Sequence, residues 1–397
     1  MDSARHGEPR RRTRARIPAA RARDALAAWL FVTPSGILIA VFGIFPLFFT
    51  IYVSLFKWRL TPGAFLGLGN FAELFGTGGL PLIGLGAAIV AAALSILLLG
   101  RDGLPAGVRN AGGLTLGILS AAALAASLPA VAAQGDKEVF DSLRVTVWYA
   151  LLTVPVQLAV GLSIALLLTR KFRGRQVFRV IYLLPYVAPT VATAAIFQLL
   201  FSLRPDSLAN QVAAALGSQP LQWLQEPKGV LAPLFGAPPP GLGVVPAYWM
   251  EWVRGPSLAL VSIIFYSWWV FVGYYALIYI NGLSAIPRQL FEAAEVDGAG
   301  KLRTFFSITL PLLSPTTYFL TLLGVIGTFK AFTHLYVLRS AAAGGTTDSI
   351  SIEVFFTFFR KARLGYASAI SIVLFLTVLG LTLIQQRTLE RRVTYGD

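Results

Sequence analysis

Long apolar runs dominate this chain, and none of them alternates with a period of two. They cover about 26–50, 80–100, 113–133, 145–169, 177–201, 258–282, 314–335 and 366–386. A helix needs roughly 20 apolar residues to cross the hydrocarbon core of a bilayer. Lipid offers no hydrogen bonds to the backbone, so only helices or a closed barrel can span it, and continuous apolar sequence selects helices. The pattern predicts an all-α fold, a polytopic transmembrane helical bundle of about eight spans. The pair 80–100 and 113–133 is rich in Ala, Gly and Leu and reads as an inserted hairpin within 76–135. Without it six spans remain, and no other orientation changes.

Composition agrees with a lipid environment. Hydrophobic residues make up 56% of the 397 and charged residues 13%, with a mean hydropathy of +0.70; a soluble chain carries about a quarter charged residues. The net charge of +15 could suggest nucleic acid, but the cations sit in short segments beside apolar spans, where they report topology. A basic tail over 1–25 runs from Arg5 to Arg23, and the loop TRKFRGRQVFR adds Arg170, Lys171, Arg173, Arg175 and Arg179 with no acid. With both termini cytoplasmic, Lys and Arg fall inside about twice as often as outside, while acids divide evenly; that is the positive-inside signature. The segment 336–365, predicted outside, dissents with Arg339, Arg360, Lys361 and Arg363. The first apolar run is too long for a signal peptide and reads as a retained span, and Arg10–Arg12 resembles a twin-arginine signal only loosely. With no cysteine and only His6 and His334, disulfides and thiolate sites are excluded and a histidine metal site is not expected. Segment 202–257, rich in Pro, Gly and Trp, is expected to form a cap of short helices and turns. No repeat of fixed period occurs.

One predicted cytoplasmic loop, 283–313, stands out: LSAIPRQLFEAAEVDGAGKLRTFFSITLPLL. Gln289–Val296 favours a helix, Gly298 and Gly300 break it, a second amphipathic stretch runs over Leu302–Leu310, and Pro311 can open the following helix. The result is a helix–turn–helix at the membrane face. The EAA motif of Glu292, Ala293 and Ala294, followed at fixed spacing by Gly298, Ile308, Leu310 and Pro311, resembles the signature of permease subunits of binding-protein-dependent ABC importers. Similarity to the maltose-type branch of the carbohydrate uptake family extends over FLGLGNFAELF at 65–75, residues 174–201 and residues 281–315. The resemblance implies a type I ABC importer permease fold, in which the first short helix of the loop sits in a cleft of a separate ATPase subunit. Glu292 would face basic residues there, with Asp297 and the other motif positions forming the ATPase-coupling set. It also implies a second homologous permease, two ATPase subunits holding ATP and Mg, an extracytoplasmic solute-binding protein, and a bacterial cytoplasmic (inner) membrane location. No cofactor is expected on this chain itself. Nothing here is long enough to match the large periplasmic domain of the enterobacterial maltose permease; the hairpin at 76–135 stands instead. The domain organisation expected is thus 1–25 tail, 26–75 first span and following outside segment, 76–135 hairpin, and 136–397 permease domain.

Polar and aromatic groups inside spans point to a pathway, since each costs free energy in lipid. The sixth span holds Tyr266, Ser267, Trp269, Gly273, Tyr274 and Tyr275, a mixture suited to sugars, whose CH faces stack on aromatic rings. By resemblance, Tyr266, Trp269, Val270 and Gly273 fall at substrate-lining positions, as does a stripe of Gly324, Thr328 and Ala331 on the seventh span; packing of helices explains such stripes equally well. Lys330 and His334, four residues apart, would share a face, and Lys330 is read as snorkelling to the outer interface. Pro185 and Pro189 are expected to kink the fifth span, where Thr193 and Gln198 are further lining candidates. No G-x-x-x-x-G-K-[ST] loop is present, so ATP hydrolysis is expected elsewhere. No acid lies within a predicted span, which argues against a membrane-embedded enzyme and against an ion-coupled secondary transporter. The expected cargo is a sugar, a disaccharide or short oligosaccharide, with another polar solute such as glycerol phosphate as the alternative.

Overall fold

The computed structural model describes residues 19–77, 79–100, 105–170, 173–235 and 244–389. The basic tail up to residue 18, and Arg101 and Lys171, lie outside the described residues. Every regular element among the described residues is helical, apart from two isolated bridges, Phe56–Phe65 and Gly229–Ser257. By its contacts the chain divides into the units Met1–Tyr52 and Val53–Asp397.

The first unit comprises α1 (Ala19–Ile39), a π-turn over Ala40–Ile44 and the greater part of α2 (Phe45–Ser54), an apolar span over Ala27–Ser54. Pro46 has no N–H and its ring crowds the carbonyl one turn back. The helix widens just before it, and the Phe45 N–H reaches Ala40 O.

The second unit begins with α3 (Gly69–Phe75), the hairpin α4 (Leu80–Leu99) and α5 (Ala106–Gln134), then α6 (Lys137–Thr169), α7 (Arg175–Val187) and α8 (Thr190–Leu200). The cap contains α9 (Leu208–Ala215), α10 (Ala232–Phe235) and α11 (Val244–Val253). There follow α12 (Leu258–Ala285), α13 (Arg288–Val296), α14 (Lys301–Thr304), a second π-turn (Phe305–Thr309), α15 (Leu310–Leu312) and α16 (Ser314–Phe329). The chain closes with α17 (Thr333–Leu338), α18 (Ile350–Phe359) and α19 (Leu364–Leu389). In the hairpin, Ser95 Oγ donates to Gly113 O and Ser120 Oγ to Ala88 O, each at 2.7 Å. Small residues let the two backbones come this close, as in other membrane helix pairs. Trp249 of α11 pins the hairpin by donating from Nε1 to Ala125 O at 2.8 Å.

At the centre, α6 and α12 run parallel, with Tyr149 bonded to Ser267 at one level and Leu168 clustered with Ile280 at another. Gly161 permits the contact; a Cβ there would lie 2.7 Å from Tyr275 Cβ. α12 is the most deeply buried of the described spans. α6 starts earlier than the apolar run predicts, at Lys137, because Asp136 caps it by accepting from Glu138 N–H at 2.9 Å. Two predicted spans prove to be broken rather than continuous. The 177–201 run bends by 94° between α7 and α8, at Ala188, which Pro189 holds in an extended conformation (ψ 148°). Pro185 stays within α7. The 314–335 run ends as α16 at Phe329 and meets α15 at a 61° bend. Ser351 Oγ and Ser349 Oγ donate to Phe329 O and Ala331 O, both at 3.1 Å, satisfying carbonyls freed where the helix stops. Because of that break Lys330 and His334 do not share a helix face: Lys330 is exposed and His334 buried.

The dissenting cations of 336–365 are mostly neutralised by carboxylates. Arg339 makes a two-armed pair with Asp348 at 2.9 and 2.8 Å, and this bond raises its pKa above the ordinary guanidinium value. Lys361 bonds Glu138 at 2.5 Å and Glu353 at 2.8 Å, and Arg363 bonds Glu73 at 2.5 Å. Burial works to lower the Lys361 pKa, but the hydrogen bonds from Glu138 and Glu353 outweigh it and raise it. Arg360 lies over the Phe356 ring, 4.4 Å from its centroid. Glu353 is buried, so removing its cation strands a charge. Lys361→Met is expected to destabilise the protein by about 2 kcal/mol, less than for a fully buried pair because the lysine is partly exposed. Thermal unfolding of the detergent-solubilised protein checks this, and adding Glu353→Gln should recover most of the loss.

Candidate functional site

A cavity of about 390 Å³ lies between α6, α7, α12, α16 and α17. One wall is polar: Tyr149, Thr153 and Gln157 recur at every fourth residue of α6, so they share a face, and all three are buried. Tyr149 Oη lies 2.7 Å from both Ser267 Oγ and His334 Nε2, and Gln157 Nε2 donates to Ser267 O at 3.1 Å. The facing wall is aromatic, with Tyr186 of α7 stacked on Tyr274 at a centroid distance of 4.6 Å and Phe271 beside them. The remaining side is narrow-residued: Gly324, Gly327, Thr328 and Ala331. Gly324 has no room for a Cβ, because Tyr275 Oη occupies the position.

Of the residues singled out from the sequence, Tyr274, Tyr275, Gly324, Thr328, Ala331 and His334 line this cavity. Tyr266, Trp269, Val270 and Gly273 are placed on a different side of α12. Tyr266 is buried and its hydroxyl lies 2.8 Å from Thr193 Oγ1. Trp269 is half-exposed and packs on Phe197 at 5.1 Å, and Val270 is in the core. Gly273 abuts the Tyr182 carbonyl of α7. Gln198 donates to Val337 O and does not line the cavity. The α6 stripe was not singled out, although its four-residue spacing is visible in YALLTVPVQ.

At the C-terminal end of α12 the chain turns into α13. That helix ends at Val296 with Asp297 as its C-cap; Gly298 adopts φ +71°, and the Ala299 N–H closes the turn on Ala294 O at 2.9 Å. A residue with a Cβ is strained in that conformation. Ala294 is buried, whereas Glu292 and Ala293 are exposed. Among the described residues, Glu292 pairs with Arg288 at 3.3 Å, an exposed i,i+4 contact that holds it weakly. A groove of about 320 Å³ between α13 and the following turn is lined by Ala293, Ala294, Asp297 and Ile308 among others. The second π-turn precedes Pro311 as the first precedes Pro46: the Leu310 N–H reaches back to Phe305 O. Val296, Leu302 and Phe306 are large, apolar and exposed here, the kind of patch that marks an interface; their apolar character alone does not separate them in sequence from buried residues.

Tyr149→Phe removes the hydroxyl shared by Ser267 and His334. Because His334 Nε2 then loses its buried partner, the expected cost is about 1–3 kcal/mol, read as a lowered unfolding midpoint. Ser267→Ala should cost less.

Residues 157–395 match the family described as binding-protein-dependent transport system inner membrane component. The trehalose/maltose transport system permease protein MalF of Thermococcus litoralis is 32% identical over 248 residues, 62% of this chain and 74% of that one. The sn-glycerol-3-phosphate transport system permease protein UgpA of Agrobacterium fabrum is 31% identical over 266 residues, 66% of this chain and 79% of its own length. In fold, the chain is similar to a solved bacterial ABC transporter involved in the import of the acidic polysaccharide alginate, with a TM-score of 0.58 at 18% identity, covering 94% of this chain and 98% of that one. With the matched region containing the α13 loop and the cavity lining from Gln157 onward, the chain belongs to the binding-protein-dependent transport system inner membrane components and is an ABC importer permease.

Proposed function

We propose that this chain moves a sugar, a disaccharide or short oligosaccharide, across the membrane into the cytoplasm by ATP-driven alternating access. The observation that carries the reading is the cavity: stacked aromatic faces opposite buried hydrogen-bonding groups, in a volume of about 390 Å³ that lies within the range of small-molecule sites. Sugars present both CH faces and hydroxyls, and this lining meets both. The name of the Thermococcus litoralis relative supports the sugar; the name of UgpA favours the second reading, a polar solute such as glycerol phosphate.

The driving force would come from two ATPase subunits, which hold ATP and Mg, acting on this chain and a second permease. An extracytoplasmic binding protein would deliver the solute; one solved relative is an alginate ABC transporter in complex with a periplasmic protein bound to alginate pentasaccharide. Both termini and the α13 loop are assigned to the cytoplasm on the charge asymmetry of the loops. The exposed Glu292 would insert its helix into the ATPase, and α12, about 42 Å long at 1.5 Å per residue, would carry the motion past the cavity.

Glu292→Ala and Gly298→Pro are therefore expected to lower uptake by about tenfold or more, the scale of an allosteric coupling energy, while ATPase activity no longer responds to solute. Uptake and ATPase assays on the reconstituted transporter check this, with membrane insertion as the control. Normal, solute-coupled transport by Gly298→Pro sinks the coupling assignment, because proline cannot adopt the φ of +71° found there.

A further inference from the structure

The α6 wall contains a hydroxyl that the fold leaves unused. Elsewhere, helical Ser and Thr return their proton to the preceding turn: Thr146 to Ser142 O at 2.8 Å, Ser163 to Ala159 O at 2.8 Å, Thr321 to Thr317 O at 2.7 Å. Thr153 does not. It is 1% exposed, lines the cavity, and its Oγ1 is buried without a hydrogen-bond partner. A buried polar atom left unpaired costs free energy unless something else satisfies it. Its neighbours on the stripe, Tyr149 and Gln157, are already tied to α12 and α17, so Thr153 is the group of the three whose hydrogen bond is still to be made.

The second feature is electrostatic. Among the described residues, no Asp, Glu, Lys or Arg lines this cavity. An anion placed here would be desolvated with no counter-charge, the costly case for buried ions. The Tyr186–Tyr274 faces add to that cost, since the face of an aromatic ring is the negative end of its quadrupole. His334 is the lining base that could take a proton, but its Nε2 is bonded to Tyr149 and no carboxylate lines the cavity to hold an imidazolium.

We propose that the cavity accepts a neutral polyhydroxylated solute and discriminates against phosphorylated or carboxylated ones, with Thr153 on α6 reading one of the solute hydroxyls. The inference rests on the sugar-permease reading above and sharpens it. It sets this chain apart from relatives named for glycerol 3-phosphate and for acidic alginate.

The test is equilibrium binding of radiolabelled sugars to the full-length chain within its transporter in nanodiscs, without ATP or binding protein. The probes are trehalose, maltose, cellobiose and sucrose, each against its 6-phosphate and its uronate. At least one neutral disaccharide is expected to bind saturably, with its charged forms weaker by about a hundredfold. Thr153→Val, which keeps the shape and removes the hydroxyl, should weaken that binding about tenfold, whereas Thr153→Ser should stay within about twofold. Equal or tighter binding of the phosphate or uronate overturns the neutral-solute inference and leaves the sugar-permease reading standing. Unchanged binding by Thr153→Val removes Thr153 from recognition. Binding of neither set overturns both readings. The neutral-against-charged comparison uses the unaltered protein, so it stands even if a variant fails to fold.

Discussion

The close parallel contact of α6 with α12 is the constraint on which the rest of the second unit depends. Gly161 brings the two helices together at Tyr275, and the hydrogen bonds of Tyr149 and Gln157 to Ser267 fix their register. Once that register is set, α6 presents one polar face beside the Phe271 and Tyr274 positions of α12, and α16 can approach only where Gly324 leaves room for the Tyr275 hydroxyl. The cavity is what remains between these surfaces. Parallel packing also brings the end of α6, followed by Arg170, Arg173 and Arg175, to the same end of the unit as α13.

Prolines set the remaining geometry. A helix in lipid has no solvent to repair a lost backbone bond, so each break needs a local remedy. Before Pro46 and Pro311 the remedy is a π-turn; at Pro189 it is a sharp bend that lets α7 cross α12 at Gly273 while α8 turns away. After Phe329 two serine hydroxyls substitute for the missing helical donors. Within the second unit, the breaks at Pro189 and after Phe329 border the cavity, and the one before Pro311 borders the α13 loop.

Hydropathy made the eight apolar runs legible, and the α13 turn was legible from Gly298 and its flanking residues. Pro189 made a kink within 177–201 legible, though not its 94° size; the break within 314–335 was not, because an apolar run has the same hydropathy straight or bent. The same assumption of a continuous helix put Lys330 and His334 on one face. Tyr149, Thr153 and Gln157 were spaced to be found, but in a long apolar run beside the aromatic-rich sixth span they carried the weaker signal. Which side of α12 borders the cavity depends on long-range packing against α7, and no local pattern encodes that. The cations of 336–365 looked like an exception to the charge rule; pairing to Asp348, Glu138, Glu353 and Glu73 accounts for three of the four.

The central claim is that the α13 loop reaches the cytoplasm and the cap at the other end of α12 does not. The chain has no cysteine, so single cysteines introduced at Glu295 and at Lys228 can be labelled without background. A membrane-impermeant maleimide applied to intact cells should modify Lys228→Cys and leave Glu295→Cys untouched until the membrane is permeabilised. Labelling of Glu295→Cys in intact cells, with Lys228→Cys protected, would contradict the account.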